Sequence, residues 1–160
     1  MNAVNPIPSD YGTVTPYLNI RGAVAAIEFY KKAFGATELY RLAMTDGTIA
    51  HAEIQIGNSK IMLAEESEQW GNKSPQTLKG SPVSLCIYVE DVDAVFAKAI
   101  ALGSKTVGDM TPKDQFYGDR TGGITDPFEH RWTIMSRVED VSVEEMKKRT
   151  EELFSEPKGS

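Results

Sequence analysis

The stretch Gln115–Met135, QFYGDRTGGITDPFEHRWTIM, reads as a β-hairpin, and the rest of the chain can be laid out from it. A glycine-rich first strand with Gly118, Gly122 and Gly123 leads to a four-residue turn, Asp126-Pro127-Phe128-Glu129. A return strand follows over His130–Met135. Aspartate and proline at the first two turn positions suit a type I turn, because the carboxylate accepts from nearby backbone N–H groups and proline presets φ. Alternation along the return strand sends Trp132 and Ile134 to one face and Arg131, Thr133 and Met135 to the other. Trp132 is therefore expected in the core, facing the helices.

Upstream of the hairpin, Val83–Val89 alternates as a strand, with Ser84, Cys86 and Tyr88 sharing one face. Asp91 is placed to cap a helix that buries Val92, Val95, Phe96 and Ala99 and ends at Gly103. Lys105–Gly108 fits a short strand. Downstream, Ser142-Val-Glu-Glu145 has the capping-box spacing and starts a helix through Met146 and Leu153. Earlier in the chain the same order occurs. Thr13–Ile20 alternates as a strand, with Val14, Leu18 and Ile20 on one face and Pro16 pointing to an edge or a bulge. Gly22–Phe34 is helical, with an apolar stripe of Ala23, Val24, Ile27, Tyr30 and Phe34, and Gly35 suits a left-handed terminator. Three strands follow over Glu38–Met44, His51–Ile56 and Lys60–Glu65, the first two joined by an Asp46-Gly47 turn.

These two series are a repeat. Ile20 corresponds to Val89, Ile27 to Phe96, Gly35 to Gly103, and Lys60–Ala64 to Arg131–Met135, at an offset of about 70 residues. Each half is β-α-β-β-β. Two units are too few for a solenoid, so the expected fold is α+β: two βαβββ modules with cupped mixed sheets around a shared concavity, plus a C-terminal helix. The boundaries are a flexible arm over 1–12, modules over 13–66 and 81–137, a linker over 67–80, the last helix over 138–154 and a loose tail over 155–160.

Composition narrows the function classes. The chain has 160 residues, 41% hydrophobic and 25% charged, which is long enough for a real core and unlike a disordered chain. A net charge of −6 without a dense basic patch argues against nucleic acid as the main partner. No run of about 18 apolar residues marks a membrane span, and the first residues lack a signal-peptide pattern. The single cysteine, Cys86, leaves no internal disulfide and fits a reducing, cytoplasmic setting.

Several segments resemble the vicinal-oxygen-chelate superfamily, which includes glyoxalase I, bleomycin-resistance proteins and extradiol dioxygenases, and within it the PhnB-like glyoxalase-related group. The resemblance lies in Thr15-Pro-Tyr-Leu-Asn19, Ala26-Ile-Glu-Phe-Tyr-Lys-Lys-Ala-Phe-Gly35, His51-Ala-Glu-Ile54, Tyr88-Val-Glu-Asp-Val-Asp93, Tyr117-Gly-Asp-Arg120, Asp126-Pro-Phe-Glu-His-Arg-Trp132 and Val138-Glu-Asp-Val-Ser142, and covers roughly residues 13–154. It implies the paired-module fold and, often, a homodimer whose modules pair across subunits. It does not imply one activity, because the superfamily carries unrelated chemistry on one scaffold. Its metalloenzymes hold a cation at four strand positions, which fall here at Thr15, Met62, Ser84 and Thr133. Hydroxyls and a thioether make a poor cage for a divalent cation, and a slip of two residues on the fourth strand gives only Ala64. No metal site and no cofactor are expected. Glu129 stands where the family usually has glycine, so a preserved turn would place a non-glycine residue at positive φ.

The candidate ligand-binding residues are Tyr17, His51, Glu53, Gln55, Met62, Cys86, Tyr88, Tyr117, Arg120 and Met135. His51 and Glu53 share a strand face, and suit an acid/base pair, part of a displaced metal site, or a plain solvated polar pair. Gln55 would bond a polar ligand edge. Cys86 needs a base or a positive neighbourhood to be a nucleophile, and the simpler expectation is a buried inert thiol. Tyr17, Met62, Tyr88 and Met135 would line an apolar, aromatic surface, or merely fill it. Tyr117, Asp119 and Arg120 are placed at the cavity mouth, where an Arg–Asp pair could orient an anion or brace the hairpin. His130 reads as exposed beside its turn, and the linker, with Trp70, either as a lid or as a segment that merely exposes its tryptophan. These features support a small-molecule-binding protein that needs no metal, or alternatively a lyase or isomerase using His51 and Glu53; whether it is an enzyme stays open.

Overall fold

The computed structural model describes residues 5–155. The chain divides into two compact units: the residues up to Pro82 together with Pro127–His130, and Val83–Asp126 together with the residues from Arg131 onward. The first unit comprises β1 (Tyr17–Ile20), α1 (Ala23–Phe34), β2 (Thr37–Ala43), β3 (Ile49–Ile56), β4 (Ser59–Glu65) and α2 (Pro75–Leu78). Its sheet runs β1-β4-β3-β2, with β1 parallel to β4 and the other neighbours antiparallel. The second unit comprises β5 (Ser84–Tyr88), α3 (Val92–Ala101), β6 (Lys105–Thr106), β7 (Lys113–Asp114), β8 (Asp119–Thr125), β9 (Arg131–Arg137) and α4 (Val143–Ser155). Its sheet runs β5-β9-β8-β6, again with the first strand parallel to the last, and β7 adds to β8. The repeat read from sequence is therefore real. The first half is βαβββ, the second follows the same order with the short strand β7 added, and the fold is α+β with two mixed sheets and a C-terminal helix.

In the first unit α1 covers one sheet face. Leu18, Ile20, Ala52, Ile54, Ile61 and Leu63 are buried with Ala26, Ile27 and Tyr30 of the helix. The N-terminus of α1 starts at Gly22, in the left-handed region and without a side chain to cap it. Glu65 of β4 supplies the cap instead, accepting from the Gly22 and Ala23 N–H groups at 2.7 and 2.8 Å. A carboxylate there satisfies orphan donors and meets the positive end of the helix dipole. In the second unit Val92, Phe96 and Ala99 of α3 pack with Ile124, Trp132 and Ile134. Gly122 makes that contact possible, since a Cβ there would meet the Phe96 ring at 2.8 Å.

Several expectations need correction. The first strand begins at Tyr17 rather than Thr13; the Pro16 carbonyl still accepts from the Met62 N–H, but Val14 is exposed. Val24 is also exposed, on the outer face of α1. Residues 67–80 are more than a linker. Ser74 caps α2 by accepting from the Thr77 N–H, and Glu66 accepts from the Ser74 N–H, the Thr77 hydroxyl and Arg21. The arm over 1–12 is tied down at its end, through Asp10 and Tyr11, while residues 1–4 of it lie outside the described residues. Most of the tail over 155–160 lies outside them as well. The last helix forms with Ser142 accepting from the Glu145 N–H, but it buries no residue; Arg149 anchors it to the Phe116 carbonyl and Glu139.

The hairpin turn shows the expected strain. Glu129 has φ 68°, a left-handed conformation that a Cβ disfavours. Its neighbours hold it there: the Phe128 ring lies 6.2 Å from that of Phe29, and His130 Nε2 is 3.3 Å from the Asn19 carbonyl oxygen. His130 is accordingly buried, not exposed, because the turn packs among residues of the first unit. Glu129→Gly is expected to stabilise the protein by about 0.5–1 kcal/mol. A rise in the urea midpoint at unchanged slope checks it; an unchanged or lower midpoint would show that the turn bears no strain.

Candidate functional site

The face of the first sheet turned away from α1 carries the polar cluster. Strand register places it: Tyr17 of β1 pairs with Met62 of β4, Met62 with Glu53 of β3, and Glu53 with Tyr40 of β2. These four side chains form one row across the sheet. His51, two residues before Glu53, emerges on the same face. Its ring stands between two tyrosine rings, with centroids 5.7 Å from Tyr17 and 5.8 Å from Tyr40.

Glu53 is the centre of this cluster. It is only 2% exposed, yet its carboxylate collects three hydrogen-bond partners. The Tyr11 hydroxyl donates to Oε2 at 2.5 Å, the Tyr40 hydroxyl donates to Oε1 at 2.6 Å, and His51 Nε2 lies 3.4 Å from Oε1. Burial pushes the Glu53 carboxyl up, but the bonds from Tyr11, Tyr40 and His51 together outweigh it and hold the group below its ordinary range. The same bonds push both phenols, Tyr11 and Tyr40, up to about 12. The site thus holds an ionised carboxylate surrounded by hydroxyls that stay protonated. On its other side His51 reaches the Tyr17 hydroxyl, 3.3 Å from Nδ1. Lys60 sits over the Tyr11 ring, 3.9 Å from its centroid, and pairs with Asp10.

Of the sequence-derived candidates, Tyr17, His51, Glu53 and Met62 come together here. Gln55 lies on the same strand but its amide donates to the Gly57 carbonyl at 2.9 Å. Cys86, Tyr88 and Met135 share the face of the second sheet turned away from α3, where Cys86 pairs with Thr133 and Tyr88 with Met135. Cys86 is exposed there rather than buried, because β5 is an edge strand with its alternate residues outward. The Tyr88 hydroxyl donates to buried Asp119 at 3.0 Å, and this pushes its phenol up. Arg120 points to the opposite side. It forks onto Asp93 of α3 at 2.6 and 2.8 Å and onto Asp114 of β7 at 2.8 Å, so it braces the second unit and is not paired with Asp119. Tyr117 is half-buried, edge-on to Phe116 with ring centroids 5.2 Å apart. Sequence reasoning missed Tyr11, Tyr40 and Lys60. Tyr40 had a usable signal, its alternation along β2 toward Leu42; Tyr11 had none.

The positions that the resemblance assigns to a metal do not fit one. The Thr15 hydroxyl donates to the Gly12 carbonyl, Met62 offers a thioether, and Ser84 and Thr133 offer neutral hydroxyls. Among the described residues no group of three or more His, Cys, Asp or Glu side chains stands ready to hold an ion. Glu53 itself has both oxygens engaged.

The comparisons agree with this architecture. A protein of Mycobacterium bovis, Mb0911c, is 38% identical over 147 residues, 90% of this chain and 93% of its own length. The PhnB protein from Bacillus cereus has the same fold, with a TM-score of 0.61 at 19% identity over 78% of this chain and 99% of its own. The fosfomycin resistance protein FosX from Listeria monocytogenes does too, with a TM-score of 0.59 at 18% identity over 84% of this chain and 97% of its own. The sequence profile described as Glyoxalase/Bleomycin resistance protein/Dioxygenase superfamily matches residues 14–134, and the chain therefore belongs to that superfamily.

Proposed function

We propose that the chain binds a small amphipathic molecule on the first sheet's outer face, with Glu53 as anchor and without a metal. One observation carries this reading: a nearly buried, ionised carboxylate presented among the rings of Tyr11, Tyr17, Tyr40 and His51. Rings supply area and the carboxylate supplies orientation, the usual division of labour in a ligand site. Proton transfer by His51 and Glu53 is the weaker reading. A carboxylate held below its ordinary range and saturated with donors is a poor base near neutral pH.

A thermal-shift screen with amphipathic aromatic compounds tests the proposal. Compounds that stabilise the protein should do so equally with and without chelator, and should lose about tenfold or more in affinity against Glu53→Gln or His51→Ala. Stoichiometric metal in freshly purified protein together with chelator-sensitive binding would refute it.

A further inference from the structure

The charge balance around Glu53 says more about the ligand than the rings do. Aside from His51, no basic side chain pairs with Glu53 among the described residues. The Lys60 amine is engaged elsewhere, since it pairs with Asp10 and lies over the Tyr11 ring. A buried carboxylate satisfied by two hydroxyls and an imidazole keeps its hydrogen bonds but has no permanently charged partner. One of those hydroxyls comes from outside the sheet. Tyr11 belongs to a stretch without regular secondary structure, and its neighbour Asp10 is 65% exposed. Tyr40, by contrast, is fixed in β2.

We infer that this face takes a cationic ligand, a protonated amine carried on a flat aromatic body, whose ammonium group displaces the Tyr11 hydroxyl from Glu53 Oε2. The inference rests on the binding reading above and adds the chemical class. An ammonium group donates as Tyr11 does and also neutralises the carboxylate, so it out-competes a phenol at the same oxygen. The flat body would lie against the rings of Tyr17, His51 and Tyr40, and the tyrosine faces attract positive charge. The segment carrying Asp10 and Tyr11 then acts as a strap that fills the site until the ligand arrives.

Three matched probes decide it by isothermal titration: naphthalen-2-ylmethanamine, naphthalen-2-ylmethanol and naphthalene-2-carboxylate. The amine should bind the wild-type chain about tenfold or more tightly than the alcohol, and the carboxylate most weakly. Glu53→Gln should reduce the amine to the level of the alcohol, and Tyr11→Phe should strengthen the amine severalfold by removing its competitor. If Glu53→Gln does not fold, the wild-type series alone suffices: the amine should bind most tightly and the carboxylate most weakly. Equal binding of amine and alcohol, both weakened by Tyr40→Phe, would overturn the charge inference while leaving a binding face. No binding of any probe to wild type or Tyr11→Phe would overturn both.

Discussion

Trp132→Ala is expected to destabilise the protein by about 4 kcal/mol or more, a large part of the stability of an ordinary domain. Trp132 is 1% exposed, and it is the largest side chain closing the core between α3 and the second sheet. Truncation leaves a cavity that α3 cannot fill without moving Phe96, which is already seated against Gly122. A second loss adds to the first. The indole N–H donates to Asp126 Oδ2 at 2.9 Å, and Asp126 is itself 2% exposed, so truncation also removes a hydrogen bond made to a buried carboxylate. Trp132→Phe separates the two losses, keeping most of the volume while deleting the bond, and should cost about half as much. Urea unfolding followed by far-ultraviolet circular dichroism measures both variants. Loss of less than about 1.5 kcal/mol in Trp132→Ala would mean that the indole does not close this core.

Gly118→Ala should cost about 3 kcal/mol, for reasons that no side-chain contact reveals. Gly118 has φ 96°, and a Cβ on it would sit 2.4 Å from the Glu139 carbonyl oxygen and 2.7 Å from Val141 Cγ2. The segment it meets is fixed, because the Val138 and Glu139 N–H groups both donate to the Gly118 carbonyl at 2.9 Å. Substitution therefore combines a disfavoured backbone conformation with a clash against main chain. Gly47→Ala is the matched control. Gly47 has φ 86° but open space around its missing Cβ, so only the conformational cost of about 1 kcal/mol applies. Equal losses in the two variants would show that the approach of residues 139–141 to Gly118 is not maintained in solution. A larger loss at Gly118 would confirm it.

These two positions show how far the residues could be read before the fold was known. Trp132 was legible as core because alternation through a short strand leaves no choice of face once Thr133 and Met135 are assigned outward. Positive φ at Glu129 was expected from the resemblance, because the family usually has glycine at that position. The caps at Asp91 and Ser142 and the terminator Gly35 followed from local chemistry as well. The short elements were not legible. Strand β7 is two residues long and pairs with β8, so nothing local distinguishes it from a loop. Helix α2 depends on Glu66 and Ser74 meeting across eight residues. His130 was misplaced because exposure beside a turn is only a default, and here Pro127–His130 packs with the first unit.

The same division holds at the candidate site. His51 and Glu53 were grouped on one face by a period of two, which is a property of any strand and needs no knowledge of neighbours. What Glu53 does was decided elsewhere, by a hydroxyl 42 residues earlier and another 13 residues earlier in the chain. Arg120 likewise took its partner 27 residues away, on α3, instead of the adjacent Asp119. Sequence by itself determined the repeat, the sheet faces and the family; tertiary structure alone decided which donors reach the buried carboxylate. The physical reason is that a strand's alternation is set by its own backbone, whereas a hydrogen bond between distant residues exists only once packing has brought them within about 3 Å.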